Sequence, residues 1–363
     1  MKFEVEEQHP KKKKKKKLTK RQKMIALIFF LFLVLIFLLT LLLFMPKKEE
    51  EEVPVKKEKK EPVVEEKHLQ IVDENSKERP IAVMIDNNIG SARHEGLQDS
   101  YITYEIIVEG GLTRIMALYK DKEVEKIGPV RSSRHYFLDY ALESGAIYAH
   151  FGWSPYAEKD ISYLGVNNIN GMVDDAPYWR ESGAIAPHNV FTSTNKLRET
   201  AKSKGYSLEI DDWRLLNYSI DEIELYNPNE DTGAILANSV WIPYSYAQNR
   251  SYTYDSEHKY YLRSMNGVAH MDRSTDEQYH YKNIIIESVR NFTLDSEGRQ
   301  DLDTEGSGTG YYITNGYALP IHWQKDSRKG KTRYTYEDGS EITVNDGNTF
   351  IQIVPTSSTV GIE

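Results

Sequence analysis

The stretch "YITYEIIVEGGLTRIMALYK", Tyr101 to Lys120, decides how the globular part of this chain is read. Polar and apolar residues alternate from Tyr101 to Val108, the chain halts at Gly110-Gly111, and "TRIMALYK" starts a second run at Thr113. Alternation of period two is the mark of a strand, and two such runs split by a glycine pair predict a β-hairpin. On the first strand Glu105 shares a face with Tyr101, Thr103, Ile107 and Glu109. Two carboxylates four residues apart on one face are separated by roughly 13 Å, too far to act as a glycosidase pair. Ion pairs of Glu105 and Glu109 with Arg114 and the Arg131 cluster are the simpler expectation.

Working outward, "PIAVMID" before the hairpin reads as a buried strand and "GAIYAHFGWS" after it as another. Ser154, Pro155 and Gly165 bracket one helix as N-cap, first residue and stop, and "STNKLRETAKSKG" from Ser193 is a second capped helix. From about Asn238 the pattern changes to short Tyr-, Thr-, Ile- and Val-rich runs. They are punctuated by Asn266-Gly267, Asn315-Gly316, Asp338-Gly339 and Asp346-Gly347, dipeptides that predict antiparallel hairpins. The expected class is α+β: an N-terminal α/β-mixed domain over 79–235 and a β-rich antiparallel domain over 236–363, preceded by one transmembrane helix. "YNPNEDTG", Tyr226 to Gly233, lies in the expected junction of the two domains, 206–237.

That helix is "MIALIFFLFLVLIFLLTLLLFM", Met24 to Met45, 22 residues without a charge. At 1.5 Å per residue it reaches about 33 Å, enough for a bilayer core of roughly 30 Å. It is longer than a cleaved signal core and no small-residue cleavage site follows, so an uncleaved signal-anchor is expected. Residues 1–23 hold 11 Lys/Arg and 3 Glu, whereas Glu49 to Glu52 follow the span closely. Positive charge stays inside, so 1–23 is expected to be cytoplasmic and the rest extracytoplasmic, in a single-pass arrangement at the cell membrane. Residues 46–78 read as a charged, disordered linker.

The whole chain carries a formal charge of -9, with residues 80–363 holding 26 basic and 41 acidic groups. Such a balance argues against nucleic-acid binding. With no Cys there is no disulfide, thiolate metal site or cysteine nucleophile. No cofactor motif occurs, and "DLDTEGSGTG" fails as a calcium loop because Tyr312 stands where the bidentate Glu belongs. No cofactor and no metal are expected.

"GPVRSSRHYFLDY", Gly128 to Tyr140, gathers Arg131, Arg134 and His135 at a helix start, with Ser132 or Ser133 as the natural N-cap. Cations there oppose the helix dipole, so an anion is expected against them. It is either an internal acid such as Asp86, Glu105 or Glu109, or an external ligand. "IYAHFGWSPY" puts His150 at a strand end, and "YWRESGAIAPHNVF" supplies Arg180, His188 and Asn189 in a loop. The candidate ligand-binding set is Arg131, Ser132, Ser133, Arg134, His150, Arg180, His188 and Asn189, supported by Asp86, Glu105, Glu109 and Arg114.

"RPIAVMIDNN…EGLQDSYITYEIIVEGGLTRIMALY…IGPVRSSRHYFLDYA…YAHFGWSP" and "YYLRSMNGVAHMD…NIIIES…GSGTGYYITNG…IQIVP" together resemble the YerB-like proteins, a bacterial family of unknown function from Gram-positive organisms. The resemblance covers roughly 79–357. It implies an extracytoplasmic two-domain protein, often a lipoprotein, and brings no catalytic residues with it. Lacking Cys, this chain has no residue to lipidate, and the span would take over anchoring to the lipid bilayer.

Three functions follow as expectations. The first is a membrane-anchored module that binds an anionic cell-wall polymer or envelope protein. The second is an envelope-polymer hydrolase or transferase using His150 and His188 with a carboxylate. The third is a structural module that docks another envelope protein through its Tyr-rich second domain.

Overall fold

The computed structural model describes residues 19–44, 67–88, 94–182 and 184–363. Most of the expected basic segment 1–23, Met45 and linker residues 46–66 lie outside them. Two compact units result, Met1–Glu65 and Glu66–Glu363. In the first, helix α1 (Lys20–Leu43) starts in a capping box, with Thr19 accepting from the Gln22 backbone and Gln22 reaching back to Thr19. Its apolar side chains are exposed all round, and by length and composition it suffices to cross a membrane.

The second unit begins earlier than expected. Val72 is buried and the Gln70 backbone N–H donates to Asp346 Oδ2 at 2.8 Å, so residues 67–78 belong to the folded unit and not to a linker. An eleven-stranded mixed sheet dominates this unit. Its first strands are β1 (Ile81–Asp86), β2 (Ile102–Ile107), β3 (Thr113–Tyr119), β4 (Ile147–His150) and β5 (Asn168–Asn170). The predicted hairpin is β2–β3, with Ile102 opposite Leu118; Gly110 and Gly111 take the positive φ angles of its turn. β1 pairs antiparallel with β3, placing Asp86 opposite Arg114. β4 and β5 continue parallel to β1, so Asp86, His150 and Asn170 end three neighbouring parallel strands.

The strand Thr349–Pro355 inserts beside β2, in register Glu105–Gln352, and on its other side pairs with Asn283–Val289. Both pairings are parallel, within a second half whose other internal ladders are antiparallel as expected; Asp346-Gly347 does not close a hairpin. Asn266-Gly267 and Asn315-Gly316 do. One sheet crosses position 235/236, and the two halves share one core.

A six-stranded sheet built on Ser239–Ser245, Gln248–Asp255 and Tyr260–Met265 buries alternate side chains. Tyr244, Tyr252 and Tyr261 point inward, as do Tyr279 and Tyr281 from the following segment, so most tyrosines expected to form a docking platform are core. The helices are α2 (His135–Glu143), α3 (Pro155–Leu164) and α4 (Thr194–Ser203). Ser154 and Ser193 cap α3 and α4 as predicted. α2 differs: its N-cap is Arg134, without a side-chain cap bond. Ser133 is unavailable, being fully buried with its Oγ accepting from Tyr148, while Ser132 Oγ donates to the Phe151 carbonyl.

Candidate functional site

The arginines ahead of α2 meet acids from the sheet. Arg134 forms a two-pronged pair with Glu109, through Nε to Oε1 and through Nη2 to Oε2 at 2.9 Å. Burial pushes the Glu109 carboxyl up, but Arg134 outweighs it and the carboxyl ends below its ordinary range. Arg131 Nε lies 3.4 Å from Asp86 Oδ2, and His188 Nδ1 faces the same oxygen. Burial, opposed by Arg131, His188 and the Asn88 backbone N–H, likewise leaves Asp86 below its usual range. Arg114, on β3 opposite Asp86, donates to the Ser132 carbonyl at 2.6 Å instead of pairing with Glu105. Burial and its two arginine neighbours lower it to about 10, so it stays charged at neutral pH. Among the described residues three guanidinium groups of this cluster face two carboxylates.

Beyond the carboxyl ends of β1, β4 and β5 opens a cleft of about 420 Å³. Ligands of parallel sheets sit at this end of the strands. Arg131, Ser132, Asn170 and Arg180 supply its polar lining, and Phe151, Trp153, Met172, Val173 and Pro187 its apolar walls. Arg180 stands on the short strand β6 (Trp179–Arg180), paired with β7 (Val190–Phe191). Its Nη1 donates to Asn189 Oδ1 at 2.8 Å and its guanidinium lies 5.1 Å from the centre of the Phe151 ring. Among the described residues no carboxylate lies within ion-pair distance of Arg180. Gly171 makes the Phe151 position possible, since a Cβ there would sit 2.2 Å from the ring.

Two buried donors of this cleft lack an acceptor among the described residues: Arg131 Nε, whose approach to Asp86 is an ion pair without hydrogen-bond geometry, and Asn170 Nδ2. The Asn170 amide cannot turn round. Its Oδ1 accepts from the Gly152 backbone at 2.9 Å and from Met172 at 3.1 Å, which fixes Nδ2 on the opposite side. A buried donor without a partner costs about 1–3 kcal/mol, so two in one cleft mark a place for an acceptor.

The other candidates do not line the cleft. His150 is fully buried; Nδ1 meets the Gly152 carbonyl at 2.8 Å and Nε2 meets Asn168 Oδ1 at 3.3 Å. Burial lowers it to about 4, so it is a neutral brace of the turn after β4. His188 shares no polar contact with it among the described residues and serves Asp86. Asn189 holds Arg180 from behind. No group of three or more metal-ligating side chains occurs among the described residues.

Glu105 belongs to a different assembly. It is fully buried and receives Arg250 Nε at 2.5 Å, Arg263 Nη2 at 2.7 Å, Asn87 at 2.6 Å and Thr113 at 2.7 Å. Burial raises its pKa, yet Arg250 and Arg263 prevail and hold it at about 2. Arg263 Nη1 also donates to His270 Nδ1. His270 Nε2–H must then donate to His94 Nδ1, at 2.5 Å, and His94 Nε2–H to the Asp86 carbonyl. Burial lowers both imidazoles, His94 to about 4, so the chain runs through neutral rings from the buried acid to the end of β1.

Residues 69–207 match the family described as "Protein of unknown function (DUF3048) N-terminal domain", and 240–351 match its C-terminal domain. A relative named "Putative lipoprotein YerB", from Bacillus subtilis (strain 168), is 31% identical over 284 residues, covering 77% of this chain and 82% of its own. The chain belongs to the YerB-like family. A crystal structure of YerB protein from Bacillus subtilis superposes with a TM-score of 0.68 at 29% identity, over 78% of this chain and 94% of that one. The YerB-like α+β architecture expected from the sequence is therefore the observed one. The relative's name and α1 agree in pointing to membrane association.

Asn170, Arg250, Arg263, His94 and His270 were invisible to motif reading. Asn170 is legible only once β5 is in register with β4, because its role depends on facing Gly152. Arg250 and Arg263 do leave a trace, since each is a cation at an inward position of an alternating strand.

Proposed function

We propose that this YerB-like protein is a single-pass membrane protein with a cytoplasmic N-terminus, whose extracytoplasmic unit binds an anionic ligand of the cell envelope. The ligand would sit in the cleft at the ends of β1, β4 and β5. The observation that supports this reading is the set of donors left without acceptors among the described residues, Arg131 Nε and Asn170 Nδ2, beside an Arg180 that no described carboxylate neutralises. Binding is preferred to hydrolysis or group transfer because both ring nitrogens of His150 are engaged by the turn and His188 is held on Asp86.

Residues 67–363 should be retained by fractionated cell-wall material or envelope protein, and Arg180→Ala should abolish retention without unfolding the protein. Equal retention of wild type and variant would refute the site. For the topology, protease added to intact protoplasts should digest the unit that follows α1. An intact unit until lysis would refute it.

A further inference from the structure

We infer that the cleft takes a terminal carboxylate carried on a short apolar group, that is, the free C-terminal end of a peptide with small apolar side chains, in preference to a phosphate polymer. This rests on the reading of the cleft as an anion site and specifies its ligand. The first reason is charge. Arg131 already shares Asp86, with Oδ2 at 3.4 Å from its Nε, so Arg180 is the guanidinium without a resident acid. One carboxylate matches one such guanidinium bidentately, and Arg180 keeps Nε and Nη2 for it because only Nη1 is used, on Asn189. A phosphate dianion, or a chain of phosphodiesters, would exceed the single charge of Arg180, the cation of the cleft lining that has no resident acid among the described residues.

The second reason is the rest of the lining. Phe151, Trp153 and Pro187 form walls, and Met172 and Val173 stand 68% and 73% exposed at the rim. Apolar side chains held in solvent beside a charged floor suit a ligand that is apolar next to its anion. The hydroxyl-rich repeats of a phosphate polymer would leave their polar groups against these walls.

The third reason is Asn170. It is 2% exposed, its Nδ2 lacks an acceptor among the described residues, and its amide is fixed by two backbone donors. A peptide end supplies an acceptor of the right kind, the carbonyl preceding the terminal residue. The carboxylate then lies on Arg180, the carbonyl on Asn170 or Arg131, and the side chains on Met172 and Val173. At about 420 Å³ the cleft is near the small end of the roughly 300–1,000 Å³ range of small-molecule sites. That size suits a dipeptide end and not a long segment.

Titration calorimetry on the full chain in detergent micelles tests this with N-acetyl-D-Ala-D-Ala, N-acetyl-L-Ala-L-Ala, their C-terminal amides, inorganic phosphate and glycerol 1-phosphate. At least one free acid should bind, its amide at least about tenfold more weakly, and Arg180→Gln should weaken the acid by a similar factor while leaving the melting temperature in place. Binding of the D-form points to a cell-wall stem peptide as the source and binding of the L-form to a protein C-terminus; either supports the inference. Amide and acid binding equally overturns it. Arg180-dependent binding of a phosphate with no acid bound also overturns it, but leaves the anion site standing. Failure of every probe overturns both.

Discussion

Glu287 offers the sharpest quantitative test of the core. It is fully buried, accepting from Tyr140 at 3.1 Å and Tyr334 at 2.8 Å. Burial, reinforced by the nearby Glu143 carboxylate, raises its pKa from 4.5 to about 8. Glu143 itself is paired with Lys325 at 2.6 Å. The fold therefore holds Glu287 protonated where the unfolded chain has released the proton. For a carboxyl raised in this way, stability is fully present below pH 4.5 and is lost as pH rises towards 8. At about 1.4 kcal/mol per pKa unit, the loss between pH 5 and pH 8 is about 3–4 kcal/mol. Glu287→Gln mimics the neutral acid and can still bond both tyrosines, so it should remove this dependence. Urea denaturation of residues 67–363, followed by far-UV circular dichroism at pH 5, 6, 7 and 8, reads the difference between the two proteins. The variant should be of similar stability at pH 5 and more stable by about 3 kcal/mol at pH 8. A difference that stays within about 0.5 kcal/mol from pH 5 to pH 8 would show that Glu287 is ionised in the fold, and the reasoning fails.

Other expectations follow from the same geometry. Arg263→Ala leaves Glu105 with one guanidinium and removes the donor to His270; denaturant midpoints should report a loss of about 3–5 kcal/mol, and a loss below about 1 would contradict a buried ion network. Gly171→Ala drives a methyl group into the Phe151 ring, so calorimetric melting should show about 1–3 kcal/mol of destabilisation together with weakened ligand binding at Arg180; an unchanged melt would mean the ring swings aside freely. Arg180→Ala, at an exposed position without an ion pair, should change stability by no more than about 0.5 kcal/mol, and a larger loss would make Arg180 a structural residue.

The cations at the start of α2 find their anions through tertiary contacts. Arg134 opposes the dipole of α2 yet is tied to Glu109, and Arg131 leans on Asp86, each acid coming from a different part of the sheet. Motif reading grouped Arg131, Ser132 and Arg180, and the three line one cleft. It went astray over His150, because a histidine at a strand end reads the same whether it faces solvent or braces a turn.

By itself the sequence determined what depends on neighbours along the chain. The uncharged apolar run yields α1, period-two alternation yields β2 and β3, serine caps start α3 and α4, and Asn-Gly pairs close two hairpins. These features are local, since each is a matter of dihedral preference or of one face becoming apolar. What only the tertiary structure decided is which distant segments meet. Thr349–Pro355 enters the sheet beside β2 and welds two sequence halves into one core. Glu105 finds Arg250 and Arg263 rather than Arg114, because the second sheet delivers those guanidinium groups to the same dry interior. Asn170 keeps a buried Nδ2 without an acceptor among the described residues because strand register turns its oxygen to Gly152. Pairings of this kind depend on register and burial across more than a hundred residues. No window of sequence contains that information, whereas the three-dimensional arrangement has to satisfy it at every buried polar atom it can.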